Sequence, residues 1–352
     1  MSNSELHDKI EDLRRRFGAD LTIVGHHYQS DEVIRHCDLR GDSLELARRC
    51  AQIDSRFIMF CGVYFMAESA ALLAQDGVQV HLPEPSAECS MALMSPPDLM
   101  RRIMTLLTRS GRRVIPLAYV NSTLGVKAVT GALGGSVCTS ANARKMLDWA
   151  LRQGDAALFL PDKNLGQNTA DLLGLPENER FVLRLRGGGA DVDPKAADKA
   201  RLLLWPGFCS IHTRFNTQQI RRMRAEYPQA RILVHPECVP EVVNAADEAG
   251  STSFIIRYVH EAPTDATLAI GTEINLVERL ALEQTGRLKI LPLVESACTH
   301  MAQTTEEILC AALEALVPVL EKGEDSPYRV NIDTELEAPA RAALERMLTV
   351  CG

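Results

Sequence analysis

Polar and apolar positions alternate between two periods along the chain. Solid apolar runs read as buried strands at 21–25 (LTIVG), 57–62, 78–82, 114–120, 156–160, 202–205, 231–235, 253–259, 268–272 and 288–294. Between them, apolar residues recur three and four apart. These stretches read as amphipathic helices at 5–17, 42–51, 65–74, 97–109, 141–152, 166–173, 216–226, 239–248 and 274–284. Strand and helix in alternation predict an α/β protein with parallel sheets. Two closing helical stretches, 304–321 and 335–349, carry no strand of their own and are expected to pack back on the first third of the chain.

The order of elements repeats three times. Each third ends in a turn-rich loop with one cysteine: Cys89, Cys209 and Cys298. A Gly-rich linker, 186–194, interrupts the second third, and the last third carries one extra strand, 253–259. The spacing is uneven, which makes this a structural repeat rather than a sequence repeat. Ligands of open parallel sheets bind beyond the carboxyl ends of the strands. Three such units around an axis would bring three strand-end surfaces, and the three cysteines, to one central cavity. Any one cysteine alone reads as a buried, inert thiol. Their equivalent places in the repeat favour a shared site.

Composition narrows the class. The chain has 352 residues, a net charge of −8 and only 5% aromatics, with no long basic run. A nucleic-acid partner is therefore not expected. The polar N-terminal stretch has no signal-peptide core, and no apolar run is long enough to span a membrane, so a cytoplasmic protein is expected. Ten cysteines in that setting are thiols, metal ligands or nucleophiles, not a disulfide framework. None forms a C-x-x-C pair.

The first strand of each third ends in hydrogen-bonding side chains: His26, His27 and Tyr28; Tyr119, Asn121 and Ser122; His235 and Glu237. His235 and Glu237 lie two apart just past a strand, so both can face one cavity. The glutamate suits a general base or a metal ligand, or else a satisfied ion pair. Turns rich in Gly, Ser and Thr follow at 40–43, 138–143 and 250–253. Hydroxyls and free amides at a helix N-terminus suit a carboxylate or phosphate. The competing use is plain N-capping by Ser43 and Ser140. His212 stands three residues after Cys209, a spacing that can bind zinc but is weak as a lone pair.

Taken together, "GHHYQSDEVI", "GDSLELAR", "FCGVYFMAES", "LPEPSAECSMA", "YVNS", "GGSVCTSANA", "LPDKNLG", "PGFCSIHTRF", "HPECVPEVVNAADEAGSTS", "IGTEINLVERL" and "CTHM" resemble the quinolinate synthases, iron–sulfur enzymes of NAD biosynthesis. The resemblance runs from about residue 20 to residue 310. It implies three similar three-layer αβα domains around a pseudo-threefold axis: 1–94 with 301–352, 95–210, and 211–300. It implies one 4Fe-4S cluster held by Cys89, Cys209 and Cys298, with one iron left open as a Lewis acid. The implied reaction condenses iminoaspartate with dihydroxyacetone phosphate and releases phosphate and two waters. L-aspartate oxidase is a candidate for handing over the iminoaspartate.

By motif, Tyr28 and Glu237 are the acid/base pair. His26, Ser43, Ser140, His212, His235, Ser251 and Thr252 hold carboxylates, phosphate and the enol oxygen. Tyr119 and Asn121 position the intermediate. His26 rather than His27 matches the family's motif. Three features depart from the family's pattern: Tyr64 where a His is expected, Glu88 beside Cys89 where a Gly is common, and no second cysteine soon after Cys298. Other readings are an iron–sulfur hydro-lyase acting on a hydroxy acid, a non-catalytic anion- or metal-binding relative, and a zinc site on Cys209 and His212.

Overall fold

The computed structural model describes residues 3–185 and 194–351. The first elements are α1 (Asn3–Phe17), β1 (Leu21–His26), α2 (Asp31–Ile34), β2 (Leu39–Gly41), α3 (Ser43–Cys50), β3 (Phe57–Cys61), α4 (Tyr64–Leu73) and β4 (Gln79–His81). The middle ones are α5 (Ser90–Leu93), α6 (Pro97–Leu107), β5 (Val114–Tyr119), α7 (Leu124–Ala132), β6 (Ser136–Cys138), α8 (Ala143–Gln153), β7 (Ala156–Leu160), α9 (Lys163–Leu172), β8 (Arg180–Val182), α10 (Pro194–Lys199) and β9 (Leu202–Leu204). The last are α11 (Thr217–Glu226), β10 (Arg231–Val234), α12 (Pro240–Ala245), β11 (Glu248–Ala249), α13 (Thr252–Glu261), β12 (Thr267–Gly271), α14 (Ile274–Glu283), β13 (Lys289–Pro292), α15 (Glu306–Lys322) and α16 (Thr334–Cys351). The Gly-rich linker, but for its last residue, lies outside the described residues.

Among the described residues the strands form three all-parallel sheets, ordered β2-β1-β3-β4, β6-β5-β7-β9-β8 and β11-β10-β12-β13. The α/β class read from the sequence is what the chain adopts. One strand order recurs three times, and the middle sheet adds β8 at its edge. Each sheet begins with a short strand paired to the first long one. Those short strands (LRG, SVC and EA) are too brief to show a period, so the pattern missed them. Every residue of β3, β5 and β7 is buried. Helices cover both faces of a parallel sheet, which is why its strands read as continuous apolar runs.

The chain divides into two compact units. One comprises Met1–Cys89, Glu273–Arg279 and Ala297–Asp333, and holds the first sheet. The other comprises Ser90–Thr272, Leu280–Ser296 and Thr334–Gly352, and holds the other two. In the first, α1 and α15 bury Ile10, Phe17, Leu309, Leu313 and Leu316 against Ile23, Phe57 and Met59 of the sheet. In the second, Ile232 and Val234 of β10 pack with Phe215, Ile220, Val242 and Leu293.

Three expectations need correction. The run 253–259 is a helix, α13, so the extra strand disappears. Ser251 caps it, Ile255 and Val259 are buried four apart, and the rings of Phe254 and Tyr258 meet at 6.0 Å on the other face. Helical period overrode the β-branched composition that suggested a strand. The helix α7 was missed because Val126, Lys127 and Ala128 are all buried, leaving no polar stripe to reveal the period. Of the closing helices, α15 packs on α1, but α16 lies on α7 and β6 in the second unit. Small residues permit that contact: Ala340 and Ala343 are buried, and a Cβ on Gly131 would meet the Pro339 carbonyl oxygen at 1.8 Å. Among the described residues no helix is long and apolar enough to cross a membrane.

Candidate active site

Parallel strands deliver the side chains that follow them to one edge of the sheet. In the second unit Tyr119 ends β5, Asp162 follows β7, Cys209 and His212 follow β9, His235 and Glu237 follow β10, and Thr272 follows β12. Glu237 is the hub. The Tyr119 hydroxyl donates to its Oε1, and His212 Nδ1 faces its Oε2 at 2.9 Å. His212 Nε2 faces Thr272 Oγ1 at 3.2 Å. His235 Nδ1 accepts the Glu237 backbone N–H at 3.4 Å. The turn carrying Glu237 is clamped from α9: Asn168 Nδ2 donates to the carbonyls of Pro236 and Cys238, each at 2.8 Å, and Asn164 Nδ2 donates to that of Glu237 at 3.4 Å.

Tyr119, His212, His235 and Glu237 are all buried. Burial by itself raises the Glu237 carboxyl. The charges of His212 and His235 and the hydrogen bonds from His212 and Tyr119 outweigh it, and hold the group down at about 2. Burial, with His212 adding to it, pushes His235 down to about 3. Asp162 goes the other way: burial, then the negative charge of Glu237, lift it well above the usual carboxylate range. Two buried carboxyls are thus pushed in opposite directions, an arrangement suited to acid–base work. Cys209, His212 and Glu237 each offer a ligand atom within 4.8 Å of the others, so this corner can hold a metal.

In the first unit His26 ends β1 and is buried, and Tyr28 sits in the turn beyond it. Their rings meet edge to face at 4.7 Å, and the Tyr28 backbone N–H donates to His26 Nδ1 at 3.2 Å. The turn is braced by residues 273–279. Asn275 Nδ2 donates to the Tyr28 carbonyl at 3.1 Å, and Arg279 donates to the carbonyls of His27 and Gln29 and to Asp31. Glu273 is buried and accepts the Cys298 backbone N–H at 3.3 Å; burial pushes its carboxyl up to about 7.

Cys89, Cys209 and Cys298 are partly exposed and in no disulfide. Cys37 and Cys351 share that exposure, whereas Cys50, Cys61, Cys138, Cys238 and Cys310 are buried. Burial lifts the Cys138 and Cys238 thiols, which keeps them inert. Glu88 is exposed, so its charge beside Cys89 stands in solvent.

The hydroxyl-rich turns divide. Asp42, not Ser43, caps α3, accepting the backbone N–H groups of Leu44 and Glu45. Ser140 precedes Asn142, the N-cap residue of α8, whose side chain instead accepts the Thr139 N–H at 2.7 Å. Neither serine is used as a cap. Ser251 is: it caps α13 through the Phe254 N–H, with Thr252 buried beside it. Asn121 Oδ1, Ser122 Oγ and Thr139 Oγ1 are buried without a protein partner, which is the state of groups that a bound ligand satisfies.

The structure therefore gathers Tyr119, Cys209, His212, His235 and Glu237 in one cluster and pairs His26 with Tyr28. Sequence reasoning missed Asp162, Thr272 and Glu273, and the bracing Asn164, Asn168 and Asn275. The signal that found "HHY" was available for them as well: "PDKN" and "TEIN" also stand just past solid apolar runs.

A family model described as "Quinolinate synthetase A protein" matches residues 8–349. The quinolinate synthase of Corynebacterium glutamicum is 42% identical over 99% of this chain and 88% of its own. Those of Acidobacterium capsulatum and Herpetosiphon aurantiacus are 40% and 39% identical, each over 100% of this chain and over 95% and 94% of their own. A solved Plasmodium falciparum E-1-hydroxy-2-methyl-but-2-enyl-4-diphosphate reductase aligns at a TM-score of 0.26 and 10% identity, which carries no argument. From the family match and from relatives that align with it almost end to end, the chain belongs to the quinolinate synthase family.

Proposed function

We propose that this chain condenses iminoaspartate with dihydroxyacetone phosphate to quinolinate, releasing phosphate and two waters, as a step of NAD biosynthesis. The observation that carries the reading is the buried Glu237 held between Tyr119 and His212, beside Cys209. We place the work in the cytoplasm, on two small anionic substrates, with L-aspartate oxidase as the source of iminoaspartate.

The family implies a 4Fe-4S cluster. Partly exposed thiols in loops at three sheet ends are fitting donors for it, since soft thiolates are its usual ligands. Cys89, Cys209 and Cys298 would hold it. With three thiolates for four irons, it supplies a Lewis-acidic iron when bound.

The residues do the rest. Glu237, ionised at neutral pH, takes protons from carbon or nitrogen, and the Tyr119 hydroxyl on its Oε1 steadies the charge between transfers. Tyr28 is the complementary acid, its turn fixed by Asn275 and Arg279. His212, oriented by Thr272, and His235 bind carboxylate and enol oxygens. Asn121 offers a buried carbonyl oxygen to the intermediate. His26, Ser43, Ser140, Ser251 and Thr252 bind phosphate and carboxylates.

The test is iron and acid-labile sulfide per chain after purification without oxygen, followed by a quinolinate assay. About four of each supports the reading. Zinc, or no metal after reconstitution under reducing conditions, overturns it. Cys298→Ser should lose stable cluster binding while the fold survives. A variant with full iron and sulfide would remove Cys298 from the ligand set.

A further inference from the structure

The first unit holds a second group of ligating side chains, apart from every residue used above. His7 of α1, His36 in the turn after α2 and Glu306 at the start of α15 each bring a ligand atom within 4.8 Å of the others. His36 is fully buried and Glu306 is buried. His36 Nε2 faces Glu306 Oε1 at 2.6 Å, and His36 Nδ1 faces Glu11 Oε1 at 3.0 Å. The His7 ring lies 4.9 Å from that of His36, and its Nδ1 is buried without a hydrogen-bond partner.

We propose that His7, His36 and Glu306 form a binding site for one divalent transition-metal ion of the zinc class, which ties α1 to α15. Two imidazoles and a carboxylate are a donor set that zinc accepts, with a fourth position left for water. Glu11 on the far nitrogen of His36 matches the carboxylate–histidine–metal pattern, which fixes the tautomer and turns the Nε2 lone pair toward the ion. The ion would also give the stranded His7 nitrogen a partner.

The fit requires donors that stand within 4.8 Å of one another to move by about 1.5 Å at most. Donors about 2.0–2.1 Å from a tetrahedral ion stand roughly 3.3 Å apart. The Glu306 carboxylate must therefore withdraw from His36 by less than about 1 Å, and the proton of that hydrogen bond leaves to solvent. Charge is compatible as well. Arg35 bonds to Glu306, and Arg14 bonds to Glu11 and Asp38, so three carboxylates face two guanidinium groups before the ion arrives. The alternative is a metal-free network in which His36 only bridges Glu11 and Glu306.

Cobalt(II) distinguishes the two, because its visible absorption reports coordination and a near-ultraviolet charge-transfer band reports thiolate ligands. The metal-stripped full chain is titrated with cobalt, beside Cys209→Ser, His7→Ala and His7→Gln. His7 is partly exposed, so both of its variants should fold, which far-ultraviolet circular dichroism checks. We expect one equivalent bound without a thiolate band, retained in Cys209→Ser, lost in both His7 variants and displaced by one equivalent of zinc. Zinc should then raise the melting temperature of wild type and Cys209→Ser but not of the His7 variants. If all cobalt binding carries the thiolate band, or if folded His7 variants keep the band-free equivalent, the site does not exist.

Discussion

The imidazole of His212 stacks on that of His235, with ring centroids 4.3 Å apart and planes 19° from parallel. Two rings that close do not both carry charge at modest cost, and burial, with His212 adding to it, pushes His235 down to about 3. His212 also faces Glu237, whose other oxygen holds Tyr119. A proton path of this kind acts as a unit. Glu237→Gln and Tyr119→Phe should each lower kcat, Glu237→Gln by about 10²–10⁴-fold. The double variant should be no worse than Glu237→Gln alone. Rates of quinolinate formation at constant iron content measure this; effects that multiply would mean that Tyr119 does not act through Glu237.

Acid should weaken the fold through its buried histidines. Burial pushes His27 and His81 down to about 4 and His235 to about 3, against an ordinary value of 6.5. Between those limits the unfolded chain binds protons that these folded histidines refuse, so they make stability rise with pH from about 4 to 6.5, while Glu273, raised from 4.5 to about 7, slopes the other way. Each such histidine contributes up to about 1.4 kcal/mol per pH unit within its window. His81, in β4 and remote from the cluster around Glu237 in sequence, is the clean probe. His81→Gln should flatten the dependence of the urea midpoint on pH between about 4 and 6.5, leaving the slopes due to His27 and His235. An unchanged slope would mean that His81 is protonated in the folded chain.

The crossing of α7 and α16 depends on an absent side chain. A Cβ at Gly131 would overlap the Pro339 carbonyl oxygen, which is rigid backbone. Gly131→Ala should therefore cost about 1–3 kcal/mol through displacement of α16, despite the better helix propensity of alanine. Thermal unfolding measures it. A stabilised variant would show that α16 is not seated on α7.

The fold was legible where the physics is local. Solid apolar runs gave nine of the strands at nearly their true bounds, because a strand buried on both faces has no polar residue to hide it. The tenth, 253–259, failed for the same reason: a short run of Phe, Ile, Tyr and Val looks alike in a strand and in a half-buried helix, and only Ser251 at its head tells them apart. Polar clusters after strands pointed to Tyr119, His235 and Glu237. They did not tell which serines cap a helix, since Asp42 took the role expected of Ser43. Nor did they give the seat of α16, which depends on small residues, Gly131 and Ala343, far apart in the chain.

Asp162 joins two of these threads. Its Oδ1 accepts the backbone N–H groups of Asn164 at 2.7 Å and Leu165 at 3.0 Å, which starts α9. That helix carries Asn164 and Asn168, which clamp the turn bearing Glu237. Asp162→Ala removes the cap, at about 1–2 kcal/mol, and loosens the clamp. It should lower both the melting temperature and kcat, because Glu237 loses its placement while substrate contacts elsewhere persist. Asp162→Asn keeps an acceptor oxygen at the same place. Burial and the Glu237 charge both favour the uncharged carboxyl, so the neutral amide should stay close to wild type in both measurements. If the asparagine variant is as impaired as the alanine one, the folded chain needs the negative charge of Asp162, and the reading of the two carboxyls as pushed in opposite directions is wrong.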